Sequence, residues 1–211
     1  MKEHPIIFSG PMVRAILDAR KTQTRRLMKS QPPAKPSGCR PLKIATATDD
    51  EGAELFAYAI GAGNGGWNVR CPYGVPGDRL WVRETSRERM PADKTLADTD
   101  GGIEIYEFLT TAARSAWTCE RWTPAIYMPR WASRITLEIV DVRAQRLQDI
   151  SEADAKAEGV LGVDWGHGQD YGGKACYRKS FAALWDLIHA QRAPWSSNPW
   201  IWALTFRRIN G

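Results

Sequence analysis

The chain is short of the features that would take it out of the ordinary globular class. Cysteine is sparse, with Cys39, Cys71, Cys119 and Cys176 standing 32 or more positions apart and no C-x-x-C pair. Neither a disulfide framework nor a zinc ribbon is expected from such spacing. Histidine is as scarce, limited to His4, His167 and His189, so a zinc site of the usual kind is not expected either. No apolar run approaches the roughly 20 residues that cross a bilayer. The N-terminus MKEHPIIFSG carries no basic flank leading into a long apolar stretch, so no signal peptide is expected. These absences predict a cytoplasmic protein with reduced thiols, no metal, no cofactor and no membrane partner.

A large charge excess is missing too. The 211 residues hold 29 Lys plus Arg against 24 Asp plus Glu, a formal +5, with 43% hydrophobic and 25% charged residues. Such proportions fit a packed core, and the length predicts one domain over 1–211. The charge is uneven, however. Residues 1–50 hold ten Lys or Arg and four Asp or Glu, giving +6, and the remainder carries −1. Two readings fit this patch: a solvated basic surface, or a surface that meets a polyanion and releases its counterions.

Periodicity gives the elements. Pro5–Phe8 reads as a short strand, and Pro11 opens a helix carried by Met12, Ile16 and Leu17 through Ala19. Residues 30–43, with Pro32, Pro33, Pro36 and Pro41, read as a loop. The hexapeptide GAGNGG at 61–66 formally fits G-x-G-x-x-G, yet no helix pattern follows it. Asn64-Gly65 between two aromatic-rich segments, 55–60 and 67–70, predicts a hairpin instead of a phosphate cradle. Further strands are expected at Arg79–Glu84, Ile103–Leu109, Arg134–Val142 and Trp200–Ile209. Helices are expected at Ser151–Gly159, where Ser151 and Asp154 have capping-box spacing, and at Lys179–Gln191. Strands and helices mix without β-α-β alternation, which predicts an α+β fold on a mostly antiparallel sheet or barrel.

Three features could carry chemistry. Lys21 and Thr24 lie in KTQT beside Arg20, Arg25 and Arg26. A threonine hydroxyl needs a base, and a lysine serves as one when desolvation or cationic neighbours depress its pKa. Positions i and i+3 of a straight strand face opposite ways, so the pair cooperates only if the chain bends; otherwise Thr24 caps a turn. Glu158, the last helical residue before Gly159, places a carboxylate at a helix C-terminus, where it is either a solvated side chain or kept for function. Finally, Trp195, Trp200 and Trp202, from a total of ten Trp, are candidates for base stacking or for the core.

Taken together, ARKTQTRR at 19–26, PYGVPGDRLWVRE at 72–84, ITLEIVDVRAQRLQDISEADAKAEGV at 135–160 and NPWIWALTFRRI at 198–209 resemble the ASCH domain family of the PUA-like superfamily. The likeness is to its longer members, often met in phages and prophages. The resemblance implies a PUA-like, mostly antiparallel β-barrel with insertions at about 30–71 and 86–130. It also implies a nucleoside- or RNA-binding cleft. Small bacterial members remove the acetyl group from N4-acetylcytidine with a lysine and threonine of a K-T-x-T segment and a glutamate of the helix after the central strand. Lys21, Thr24 and Glu158 match these positions, with Lys21 as base, Thr24 as nucleophile and Glu158 orienting the lysine. Arg20, Arg25, Arg26, Trp81 and Glu84 are the expected substrate-binding residues. An RNA-binding module, or a metal-independent ribonuclease, using the same basic cleft is the alternative.

Overall fold

The C-terminal segment explains the architecture best, because its apolar residues run on without alternating. In strand β10 (Trp200–Ile209), Trp202, Leu204 and Phe206 point into one core while Ile201 and Ala203 point into another. A strand buried on both faces reads as a continuous apolar run. The computed structural model describes residues 1–31, 45–48, 54–59, 66–88, 106–108, 122–162 and 176–209. Residues 32–43 of the Pro-rich loop, residues 61–65 of GAGNGG, Cys39, Cys119 and His167 lie outside the described residues.

Five strands form the main sheet in the order β1-β6-β9-β10-β2, where β1 is Glu3–Ile7, β2 Gln23–Leu27, β6 Arg79–Arg83 and β9 Thr136–Arg146. All neighbours pair antiparallel except β1 with β6. The fold is therefore mixed α and β on a mostly antiparallel five-stranded sheet with few helices. Strands β3 (Ala45–Thr48), β4 (Glu54–Ala59) and β5 (Gly66–Arg70) make a second antiparallel sheet, in which β4 and β5 pair across the GAGNGG segment. The short strands β7 (Ser86–Glu88) and β8 (Tyr106–Phe108) pair with each other.

Helix α1 (Gly10–Leu17) buries Val13 and Ile16 against one face of the main sheet, with Phe8, Ile6 and Ile139. Helices α2 (Glu152–Ala157) and α3 (Tyr177–His189) cover the other face around Ala155, Phe181 and Trp185. Ser151 caps α2 as expected, its hydroxyl accepting from the Asp154 N–H at 3.0 Å. No helix among the described residues is long and apolar enough to cross a membrane.

Among the expected boundaries that move, three have a clear local reason. Helix α1 stops at Leu17 instead of Ala19, because Ala19 turns left-handed at φ 56. Strand β9 runs on to Arg146, extended by its pairing with β10 from Thr136 to Arg146. Helix α3 starts at Tyr177, whose N–H, at 2.8 Å, donates to the Glu152 carboxylate of α2. Two edges of the sheet also approach each other: Arg26 of edge strand β2 donates at 2.6 Å to the carbonyl of Ile7, at the end of edge strand β1.

Candidate active site

The site begins with the way α1 ends. The Ala19 N–H donates to the Ile16 carbonyl at 3.0 Å, and the Arg20 and Lys21 N–H groups both donate to that of Ala15, at 2.8 and 2.9 Å. This turn reverses the chain and places a non-glycine residue in the left-handed region, at a cost of about 1–2 kcal/mol. The strain sits two residues before Lys21. Lys21 itself lies outside β2 and forms an isolated antiparallel bridge with Glu158, seconded by the Thr22 N–H, which donates to the Ala157 carbonyl at 2.9 Å. The turn and the bridge set Lys21 against Glu158, whose carboxylate borders the same cleft as Thr24.

Glu158 caps the C-terminus of α2, and Gly159 follows at φ 80. A Cβ on Gly159 would stand 2.9 Å from the Cβ atoms of Ala15 and Lys21, so only glycine lets Lys21 lie this close to α1 and α2. The carboxylate that a helix terminus disfavours is compensated by two buried cations. Lys21 Nζ donates to Glu158 Oε2 at 2.7 Å and to the Glu158 carbonyl at 2.9 Å, and Arg25 Nη1 donates to Oε1 at 2.9 Å. Arg25 also lies 3.5 Å from Asp154, which accepts from the Gln23 amide at 2.9 Å. Lys21, Thr24, Arg25 and Glu158 are only 2%, 3%, 5% and 4% exposed. Burial depresses the Lys21 pKa below the ordinary lysine value, Glu158 pulls it partly back, and Arg26 and Arg25 push it further down. The net direction leaves more of Lys21 as the neutral, proton-accepting amine at a given pH than a free lysine has.

Thr24, Arg25, Arg26 and Glu158 line a cleft of about 1410 Å³, walled by Tyr73, Phe181, Trp185 and Trp200 among others. Lys21 meets the cleft through the Glu158 carboxylate. The Thr24 hydroxyl makes no hydrogen bond among the described residues, which leaves it available to a ligand. Tyr73 keeps its proton firmly, since burial raises its pKa although Arg26 opposes this. It is thus a neutral hydroxyl donor facing the same space.

Other expected residues fall elsewhere. Arg20 is largely exposed and binds Asp18 and the Gly159 carbonyl, at 3.0 and 3.3 Å. Trp81 is buried in β6, with Arg83 stacked on its ring at 4.6 Å. Glu84 is buried beside Arg134, whose Nε and Nη2 donate to its two oxygens at 3.0 and 2.9 Å. None of these three lines the cleft: Trp81 and Glu84 belong to β6 and the segment after it, three strands from β2 in the sheet order, and Arg20 is held at the surface by Asp18. The cleft walls Tyr73, Phe181 and Trp185 were not singled out by sequence. Tyr73 in its Pro-Tyr-Gly turn is the one that carried a signal, being a large aromatic in turn chemistry. Trp200 is half-buried at the cleft, whereas Trp202 belongs to the core.

Among the described residues no group of His, Cys, Asp or Glu is arranged to hold a metal ion. Comparison with protein-family models, curated proteins and solved structures finds no match to this chain.

Proposed function

We propose that the chain is an amidohydrolase of the ASCH type, on a PUA-like barrel, that deacylates N4-acetylcytidine-type modified cytosine nucleosides. The observation that carries the reading is the buried pairing of Lys21 with Glu158, whose carboxylate lines, together with the Thr24 hydroxyl, one cleft with aromatic walls. The contact between the ends of edge strands β1 and β2 favours a closed sheet.

Neutral Lys21 takes the proton of the Thr24 hydroxyl as Thr24 Oγ1 attacks the acyl carbonyl carbon. The C–N4 bond then breaks, and the Lys21 ammonium returns the proton to the departing amine, releasing cytidine. Water attacks the acyl-threonine ester as Lys21 takes one of its protons, the Lys21 ammonium passes that proton to the departing Thr24 oxygen, and acetic acid leaves and ionises, with Lys21 neutral again. Glu158 holds the amine in place and balances its charge when protonated, while Arg25 anchors the other carboxylate oxygen. The aromatic walls suit a flat base.

The purified protein is expected to release cytidine from N4-acetylcytidine, and Thr24→Ala and Lys21→Ala are each expected to abolish the release. Unchanged release in both variants would remove the mechanism.

A further inference from the structure

The cleft is larger than the chemistry requires, and its outer half has a different character from its inner one. Beyond Thr24 it follows β2 and the residues after it, past Met28 and Lys29. Thr24 to Met28 spans roughly 13 Å of extended chain, about the length of a base, its ribose and a 5′ phosphate laid end to end. Glu158 is the one carboxylate among the lining residues, and its two oxygens are already engaged at the inner end. The outer lining adds Lys29, Arg146 and Arg192, and no carboxylate among the described residues pairs with any of the three. A cleft lined by one sign of charge concentrates an anionic ligand.

Trp200 stands at this end as a fixed platform. Its backbone is clamped by Gln31, whose Nε2 donates to the Trp200 carbonyl at 3.0 Å while Oε1 accepts the Trp200 N–H at 2.8 Å. The Arg146 guanidinium faces the Trp200 ring at 4.7 Å and donates to the Asn198 carbonyl at 3.0 Å. The end of α3 lines the same cleft, and there the His189 ring meets that of Trp185 at 4.3 Å. Burial lowers the His189 pKa, and both Arg26 and Arg192 add to the effect, so these two guanidiniums act on one ring. The carbonyl end of α3 would repel an anion, but the His189 carbonyl accepts the N–H groups of Arg192 and Ala193, each at 2.9 Å.

We infer that the outer half of the cleft is a phosphate subsite, built by Lys29, Arg146 and Arg192 beside the Trp200 ring, and that the ligand is a phosphorylated nucleoside instead of a bare one. The choice of cytosine as base rests on the proposed function; the phosphate does not. A free nucleotide and a nucleotide within a strand share this chemistry.

The test compares binding of cytidine, cytidine 5′-monophosphate and a cytidine dinucleotide joined by a phosphodiester, by titration calorimetry at low salt. None carries an acyl group, so the result is independent of turnover. At least one phosphorylated ligand is expected to bind roughly tenfold more tightly than cytidine, with the gain shrinking as salt rises. A gain for the monophosphate identifies a free nucleotide, and a gain for the dinucleotide alone identifies a strand. The double variant Lys29→Gln, Arg192→Gln should reduce the preference to within about twofold. Arg208→Gln, an exposed charge outside the cleft, should keep it. Equal binding of all three ligands, no binding of any, or a preference that survives the double variant would overturn the subsite. Failure here leaves the deacylation assay intact, and an inactive enzyme would still yield the binding ratio.

Discussion

Two glutamates of this protein are buried and both meet arginine, yet their surroundings differ. Glu84 offers its two oxygens to the fork of Arg134, whose guanidinium lies 4.0 Å from the centre of the Phe108 ring. Its own N–H contacts Met128 Sδ at 3.1 Å. Glu158 divides its oxygens between an amine and a guanidinium, Lys21 and Arg25, and borders a cleft beside an available hydroxyl. The difference teaches that burial of an ion pair is not itself a sign of function. What distinguishes Glu158 is a partner whose proton can move and an open space beside it.

The comparison can be broken by substitution. Glu158→Gln leaves two buried cations facing a neutral amide and is expected to lower stability by about 3–5 kcal/mol; it should also remove turnover in whatever protein remains folded. Denaturant unfolding and an assay per folded molecule check both parts. Activity equal to the wild type in a folded Glu158→Gln protein would place the two glutamates in one class.

A pH profile sharpens the same contrast. The Lys21 pKa is lowered on folding from the model-peptide value of 10.5, so between the folded value and 10.5 the unfolded chain holds the extra proton. In that window stability rises with pH; below it the cost of the buried ammonium is present in full. Turnover is expected to rise with pH as Lys21 deprotonates, with a midpoint below 10.5. A midpoint at or above 10.5 would contradict a depressed Lys21.

Smaller effects follow. Glu84→Gln should cost about 1–3 kcal/mol, because the Arg134 side chain is 30% exposed and keeps some hydration, while turnover per folded molecule stays near that of the wild type. Gly159→Ala should cost about 1–2 kcal/mol for its left-handed backbone. Its Cβ should also press on Lys21, so a fall in turnover at unchanged substrate binding is expected alongside a modest fall in melting temperature.

Much of the local structure was legible in the sequence, whereas this contrast was not, for physical reasons. Local signals worked where the interaction is local: Ser151 and Asp154 gave the cap of α2, Gly159 its end, and the apolar run at 200–209 its strand. Glu158 stood out as a carboxylate at a helix C-terminus, and Lys21 with Thr24 as an amine and a hydroxyl among arginines, matching the K-T-x-T pattern of the resemblance. The separation of Glu84 from Glu158 was not legible, since it depends on strand order: β6 and β2 are three positions apart in the sheet, and nothing in RLWVRE reports that. Arg25 read as one of several basic neighbours, although its bond to Glu158 spans 133 residues of chain. The walls of the cleft come from α3, β2 and a turn at Tyr73, and only packing brings them together.

The most direct measurement is the mass of the acid-quenched protein after mixing with N4-acetylcytidine, followed by peptide mapping. An acetyl group on the peptide containing Thr24, absent from the Thr24→Ala protein along with cytidine release, is the predicted result. Cytidine release by Thr24→Ala at the wild-type rate would contradict the account.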